Sequence, residues 1–158
     1  MNLNIAAVVD NLGPSQNSFY LIKQFNKALS STNLCVSAFI QRFTIPVATA
    51  LFSCKSVSFI SGYHHNLIAT SILDANLILN SNNASSKFLY LWDLEWLYNP
   101  TGFINNVNIL RDKRLKIIAR SESHAQMIEN YSNKSVVGIV DDWNLDSLIR
   151  IVQEHGNK

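Results

Sequence analysis

Residues 88–91, Phe-Leu-Tyr-Leu, form an unbroken apolar run past the middle of the chain, and Trp92-Asp93-Leu94-Glu95-Trp96 follows at once. A strand with only one covered face would alternate apolar and polar residues; this run has no polar parity, so it predicts a strand covered on both faces. A buried strand that ends in carboxylates and indoles puts polar chemistry at the carboxyl edge of a sheet. Open α/β folds take their ligands there.

Strand and helix signals alternate around this run. Strands are predicted over residues 3–9, 35–40, 57–60, 67–70, 88–91, 115–119 and 136–140, the third and fourth being short. After the first strand, Gly13-Pro14 makes a turn, Ser15 or Ser18 caps a helix, and Phe19, Leu21, Ile22, Phe25 and Leu29 recur at helical spacing. Residues 45–52 read as a short helix, with Pro46 tolerated in its first turn. Thr70 or Ser71 caps a helix with Ile72, Ala75, Ile78 and Leu79 on one face. Residues 97–102 break regular structure, 103–110 form a further helix, Ser121 begins another, and a final helix ends at Gly156. Such alternation with short connections predicts a single Rossmann-like domain over residues 1–158, an α/β three-layer sandwich with a mostly parallel central sheet of five to seven strands.

Composition removes several function classes. The chain has 158 residues, of which 15% are charged against about 25% in an average soluble domain. Its formal charge of +2 does not indicate a nucleic-acid partner. The one basic cluster, Arg111-Asp112-Lys113-Arg114-Leu115-Lys116, reads as a solvated loop. Cys35 and Cys54 read as small core residues of a reduced protein, with no disulfide framework or zinc spacing. No basic leader with a cleavage site is evident, and the most apolar long stretch, 34–54, is interrupted by Gln41, Arg42 and Pro46. A cytoplasmic protein with no membrane partner is expected.

Parallel strands would bring their carboxyl ends together. That edge is expected to carry Asp10 to Asn17 (with Asn11, Gly13 and Ser15), Gln41 and Arg42, Tyr63 to Asn66 (with His64 and His65), Trp92 to Trp96, Arg120 to His124 (with Ser121), and Asp141 to Asn144. Asp10 either caps its loop or meets a ligand. One glycine in that loop, where a dinucleotide fingerprint has three, speaks against a nicotinamide or flavin cofactor, and none is expected. His64 and His65 lack the companion pair of a metal site, so no metal is expected either. Asp93 and Glu95 are the candidate catalytic carboxylates, since paired carboxyls in a partly apolar site shift apart in pKa. Trp92 and Trp96 beside them suit a stacked sugar ring, or else simply pack in the core at a helix start. The helix starts near Ser15 and Ser121 offer a phosphate site as a weaker reading.

The order of features resembles the N-terminal Rossmann half of GT-B glycosyltransferases, through Val9-Asp10-Asn11-Leu12-Gly13-Pro14-Ser15 and through Ile118-Ala119-Arg120-Ser121-Glu122-Ser123-His124-Ala125. It is also similar to small proteins of marine cyanobacterial phages, through Trp92-Asp93-Leu94-Glu95-Trp96 and Gly138-Ile139-Val140-Asp141-Asp142. The first resemblance implies a domain that binds a carbohydrate or modified nucleic-acid acceptor and meets its nucleotide sugar on a separate donor-binding domain or a second copy of itself. The second implies the host-cell cytoplasm. A non-catalytic binding or scaffold module of the same fold, as a monomer or a dimer, is the competing expectation.

Overall fold

The computed structural model describes residues 3–98 and 100–156. One sheet runs through it, with seven strands in the order β3-β2-β1-β4-β5-β6-β7 and every pair parallel. The strands are β1 (Leu3–Val9), β2 (Leu34–Ile40), β3 (Ser53–Ser56), β4 (Asn66–Ala69), β5 (Ser86–Leu91), β6 (Leu115–Ala119) and β7 (Gly138–Ile139). The helices are α1 (Gln16–Ala28), α2 (Ile72–Leu79), α3 (Phe103–Arg111), α4 (Glu122–Ser132) and α5 (Leu145–His155). The predicted Rossmann-like sandwich is therefore the architecture.

Two cores follow from the parity of the strands. Ile5, Ala7 and Val9 of β1 and Phe88 and Tyr90 of β5 pack against α1 and α5. Ala6 and Val8 of β1 and Leu89 and Leu91 of β5 pack against α2, α3 and α4. All six residues of β5 are buried, which is why its sequence shows no alternation. Ser15, Ser71 and Ser121 cap α1, α2 and α4, each accepting a backbone N–H from its helix's first turn. The strand-to-helix turns at the carboxyl edge are thus built alike.

Several local expectations give way to tertiary pairing. Residues 45–52 form no helix: Val47 N–H donates to the Leu12 carbonyl at 2.8 Å, and the Asn26 side chain holds the Thr49 carbonyl and Leu51 N–H, both at 2.8 Å. These bonds replace helical ones in a segment where Ile45, Val47 and Thr49 are β-branched. The third strand lies at Ser53–Ser56 instead of 57–60, and Val57–Gly62 is a 3-10 helix capped by Ser56. Cys35 is exposed and so is not the core residue expected, while Cys54 is half-buried and packs against the core. The break after Trp96 consists of 3-10 turns at Glu95–Leu97 and Pro100–Gly102, and Asn99 lies outside the described residues.

Gly138 marks where the sheet edge meets α5. A Cβ there would fall 2.5 Å from Ile151 Cδ1 and 2.8 Å from its Cγ1, and Ile151 is itself buried. Gly138→Ala should destabilise the fold by about 1–3 kcal/mol through overpacking, measured as a lower urea midpoint at unchanged slope.

Candidate functional site

The strand order reverses between β1 and β4: the chain leaves β1 for α1 on one face and leaves β4 for α2 on the other. Connections that part in this way open a crevice at the carboxyl ends of the two strands. A cleft of about 430 Å³ occupies that place, within the usual range for small-molecule sites. Asp10, Gly13, Ser71, Asp74, Asp93 and Glu95 are among the residues that line it.

Each wall has a local cause. After β1, Asp10 accepts from Arg42 Nε at 2.8 Å and from its Nη2, and from Asn11 Nδ2 at 2.8 Å. Asn11 Oδ1 accepts the Gly13 N–H at 2.8 Å, and a Cβ on Gly13 would lie 2.8 Å from that oxygen. A side chain at this position would push the Asn11 amide off its bond to the Gly13 N–H. Ser15 then starts α1, its Oγ accepting from Ser18 N–H at 3.1 Å.

The opposite wall is the start of α2. Asp74 is fully buried and accepts from Ser71 Oγ at 2.7 Å, Thr70 Oγ1 at 3.2 Å and Gln41 Nε2. Glu95 reaches across from the segment after β5, and its Oε1 accepts the Ile72 N–H at 2.9 Å. That N–H belongs to the first turn of α2, where a carboxylate suits the helix dipole. Asp93 is exposed at the mouth.

The carboxyls divide electrostatically. Arg42 beside it holds Asp10 below the usual carboxylate range. Burial pushes Asp74 up, with the hydrogen bonds from Ser71, Gln41 and Thr70 working the other way. Burial also pushes Glu95 up, the Ile72 N–H works the other way, and the negative charges of Asp74 and Asp93 add to the rise. Four carboxyl groups line the cleft and Arg42 pairs with Asp10 alone, which makes the cleft inhospitable to phosphate and receptive to ligand hydroxyls that donate hydrogen bonds. Among the described residues, no group of three or more His, Cys, Asp or Glu side chains is placed to hold a metal ion.

A raised folded-state pKa means that Asp74 binds a proton more readily in the native protein than in the unfolded chain. Its contribution to stability is full below the unfolded pKa and is lost as pH rises through the folded one. Asp74→Asn should keep its place among Gln41, Ser71 and Thr70 while removing that loss. Urea denaturation at about pH 4 and about pH 7 should show the variant gaining on the wild type at the higher pH. Equal differences at both values would contradict a strained carboxylate at Asp74.

The predicted site residues do not all converge. Asp10, Asn11, Gly13, Ser15, Trp92, Asp93 and Glu95 line the one cleft. Arg120, Ser121 and His124 follow β6 at the same edge but stand beside the cleft: Arg120 lies over the Trp92 indole, 3.8 Å from the ring centre, and pairs with Asp142 at 3.2 Å. Ser121 is occupied in capping α4, accepting the His124 N–H at 3.3 Å. His64 and His65 immediately precede β4 and so lie at the amino edge, because the strand expected before them is a 3-10 helix. Trp96 stacks on Tyr131, with ring centres 4.1 Å apart and planes within 7°, and is buried. Trp92 is buried too, between Arg120, Tyr20 and Tyr90. The indoles are thus core residues, open neither as stacking platforms nor as a dimer contact.

Asp74 is the site residue that sequence reasoning passed over. Its signal was the Ser71-x-x-Asp74 spacing of a capping box, which places a carboxyl back against the cap. Asn17, within the stretch expected at that edge, also lines the cleft, its Oδ1 held at 2.7 Å by Trp143 Nε1.

No protein-family model matches this sequence, and no curated protein or solved structure is significantly similar to it. Among the described residues no helix is long and apolar enough to cross a membrane.

Proposed function

We propose that the switch-point cleft binds a neutral carbohydrate through its hydroxyl groups and serves as the acceptor half of a glycosyltransferase of the GT-B kind. The observation that carries this reading is the meeting of Asp10, Asp74, Asp93 and Glu95 in one cleft at the starts of α1 and α2, with no Lys or Arg among the described residues that line it. Ligand hydroxyls would donate to Asp93 at the mouth and to Glu95 inside. Glu95, made more basic by burial, would take the proton from the acceptor hydroxyl as that oxygen attacks the anomeric carbon of a nucleotide sugar and the bond from that carbon to the departing nucleoside diphosphate breaks. The excess of carboxylates leaves no place there for a donor diphosphate, so the nucleotide sugar would arrive on a separate domain or a second copy of the chain.

A non-catalytic binding module using the same cleft is the second reading. It is favoured by the structural work that Asp10, Asp74 and Glu95 already do for Arg42, Gln41 and the start of α2. Both readings share the ligand. Thermal unfolding with a panel of neutral mono- and disaccharides tests it: a sugar at ten times its Kd should raise stability by about 1.4 kcal/mol, or roughly 3–6 °C for a domain of this size. A flat response across the panel, or an equal response from an Asp93→Asn/Glu95→Gln double variant, would contradict the carbohydrate reading.

A further inference from the structure

At the opposite edge of the sheet, the amino ends of β5 and β6 bring Lys87, Lys113, Arg114 and Lys116 around a pocket of about 320 Å³. Asn82 and Ser86 complete its wall, and among the described residues that line it there is no carboxylate. Three of these cations come from the basic cluster that reads in sequence as a solvated loop. The fold instead turns that loop against a buried fourth.

Lys87 is the telling member. It is 7% exposed, and its Nζ donates to the Leu79 carbonyl at 3.2 Å. Arg114 Nη1 donates to the same carbonyl, also at 3.2 Å, so two cations share one neutral acceptor. The nearby carboxylate of Asp112 is committed to Arg114, through Nε at 3.0 Å and Nη2 at 2.7 Å. Burial first, and the charge of Arg114 second, make the Lys87 ammonium less basic than an ordinary lysine, with the charge of Asp112 working the other way. Lys116 is turned to the carbonyl of His155 and adds charge more than contact. Lys113 is exposed at the rim.

A buried ammonium crowded by a guanidinium and lacking a carboxylate partner is unfavourable unless an anion offsets it. We propose that this pocket binds a phosphate group, with Lys87 at its floor, Arg114 at its side and Lys113 closing over it. Its size and single concavity fit a small phosphate or phosphate monoester better than a nucleic-acid backbone, which needs a stripe of cations. The site is independent of the carboxylate cleft, which lies at the other edge of the same sheet.

The test is calorimetric titration and thermal unfolding of the full chain with inorganic phosphate, ionic strength being held constant with chloride. Saturable binding is expected for the wild type and for Lys23→Gln, an exposed lysine on α1 away from the pocket. Lys113→Gln, which removes only a rim charge, should weaken binding by roughly tenfold, as loss of a charge-assisted hydrogen bond does. Lys87→Met should abolish it; should that variant fail to fold, the Lys113 comparison decides alone. Glycerol phosphate in place of phosphate distinguishes the sources: tighter binding assigns the site to a phosphorylated metabolite, equal binding to free phosphate, and either supports it. The proposal is overturned if phosphate does no more than chloride, if Lys113→Gln behaves like Lys23→Gln, or if short duplex DNA binds where phosphate does not.

Discussion

Replacing Trp143 with alanine should destabilise the protein by about 3–5 kcal/mol, a large part of the 5–15 kcal/mol that typically separates a folded domain from its unfolded chain. Trp143 is fully buried, and its ring meets Tyr90 and Phe25 edge-on, with centres 4.8 Å and 5.7 Å apart. Its backbone N–H faces the Tyr90 hydroxyl at 3.5 Å, while that hydroxyl donates to the Val140 carbonyl at 2.7 Å. The chain reaches this position through two left-handed residues, Asp142 at φ 43° and Trp143 at φ 60°. Such a conformation is costly for side chains other than glycine and persists only where packing holds it. Trp143→Phe would keep most of the packing but lose the indole bond to Asn17, and should cost about 1 kcal/mol more than packing alone explains. Urea denaturation of the two variants checks both figures. A loss below about 1 kcal/mol for Trp143→Ala would mean that the indole does not fill the core as described.

The second large effect concerns the cleft. Glu95→Gln keeps an oxygen for the Ile72 N–H and removes the charge, and Asp93→Asn does the same at the mouth. Each should weaken sugar binding by roughly 10- to 100-fold, since hydrogen bonds to charged groups are worth about 1.5–3 kcal/mol. The intact chain alone should show no turnover of nucleotide sugars. Holding donor and acceptor aligned accounts for about 7–11 kcal/mol of such a barrier, and a single half-site forfeits most of it. Turnover by the monomer, abolished by Glu95→Gln, would make the chain a complete catalyst and contradict the half-site.

How legible these features were depended on how much of each was decided locally. β6 runs over Leu115–Ala119 as its apolar run predicts, and α2 buries Ile72, Ala75, Ile78 and Leu79 on the expected face. Central elements have their pattern imposed by a core on both sides. The edges do not. β7 pairs only through Gly138–Ile139 although the apolar run extends over 136–140, and β3 lies in a Ser-Cys-Lys-Ser segment without any strand signal. Their placement is set by neighbours far along the chain, which no window of sequence contains. The same holds in the cleft. Asp10, Asp93 and Glu95 could be read from strand ends, but Asp74 sits inside a helix whose other buried residues are apolar. His64 and His65 fall at the amino edge, not at the expected carboxyl one, because the residues before them form a 3-10 helix and no strand, which reverses the end of the sheet that their loop serves.

The central claim is that the crevice between β1 and β4 is the carbohydrate site, and backbone amide shifts in a ¹⁵N titration with a stabilising neutral sugar test it most directly. Saturable perturbations should cluster at Asn11, Gly13, Ser18, Ser71, Ile72 and Glu95, with the Ile72 amide moving because its partner Glu95 rehydrogen-bonds to ligand. Perturbations confined to the exposed surface around Leu97, Tyr98, Phe103 and Ile104, or a titration that leaves the Ile72 amide unmoved at saturation, would contradict it.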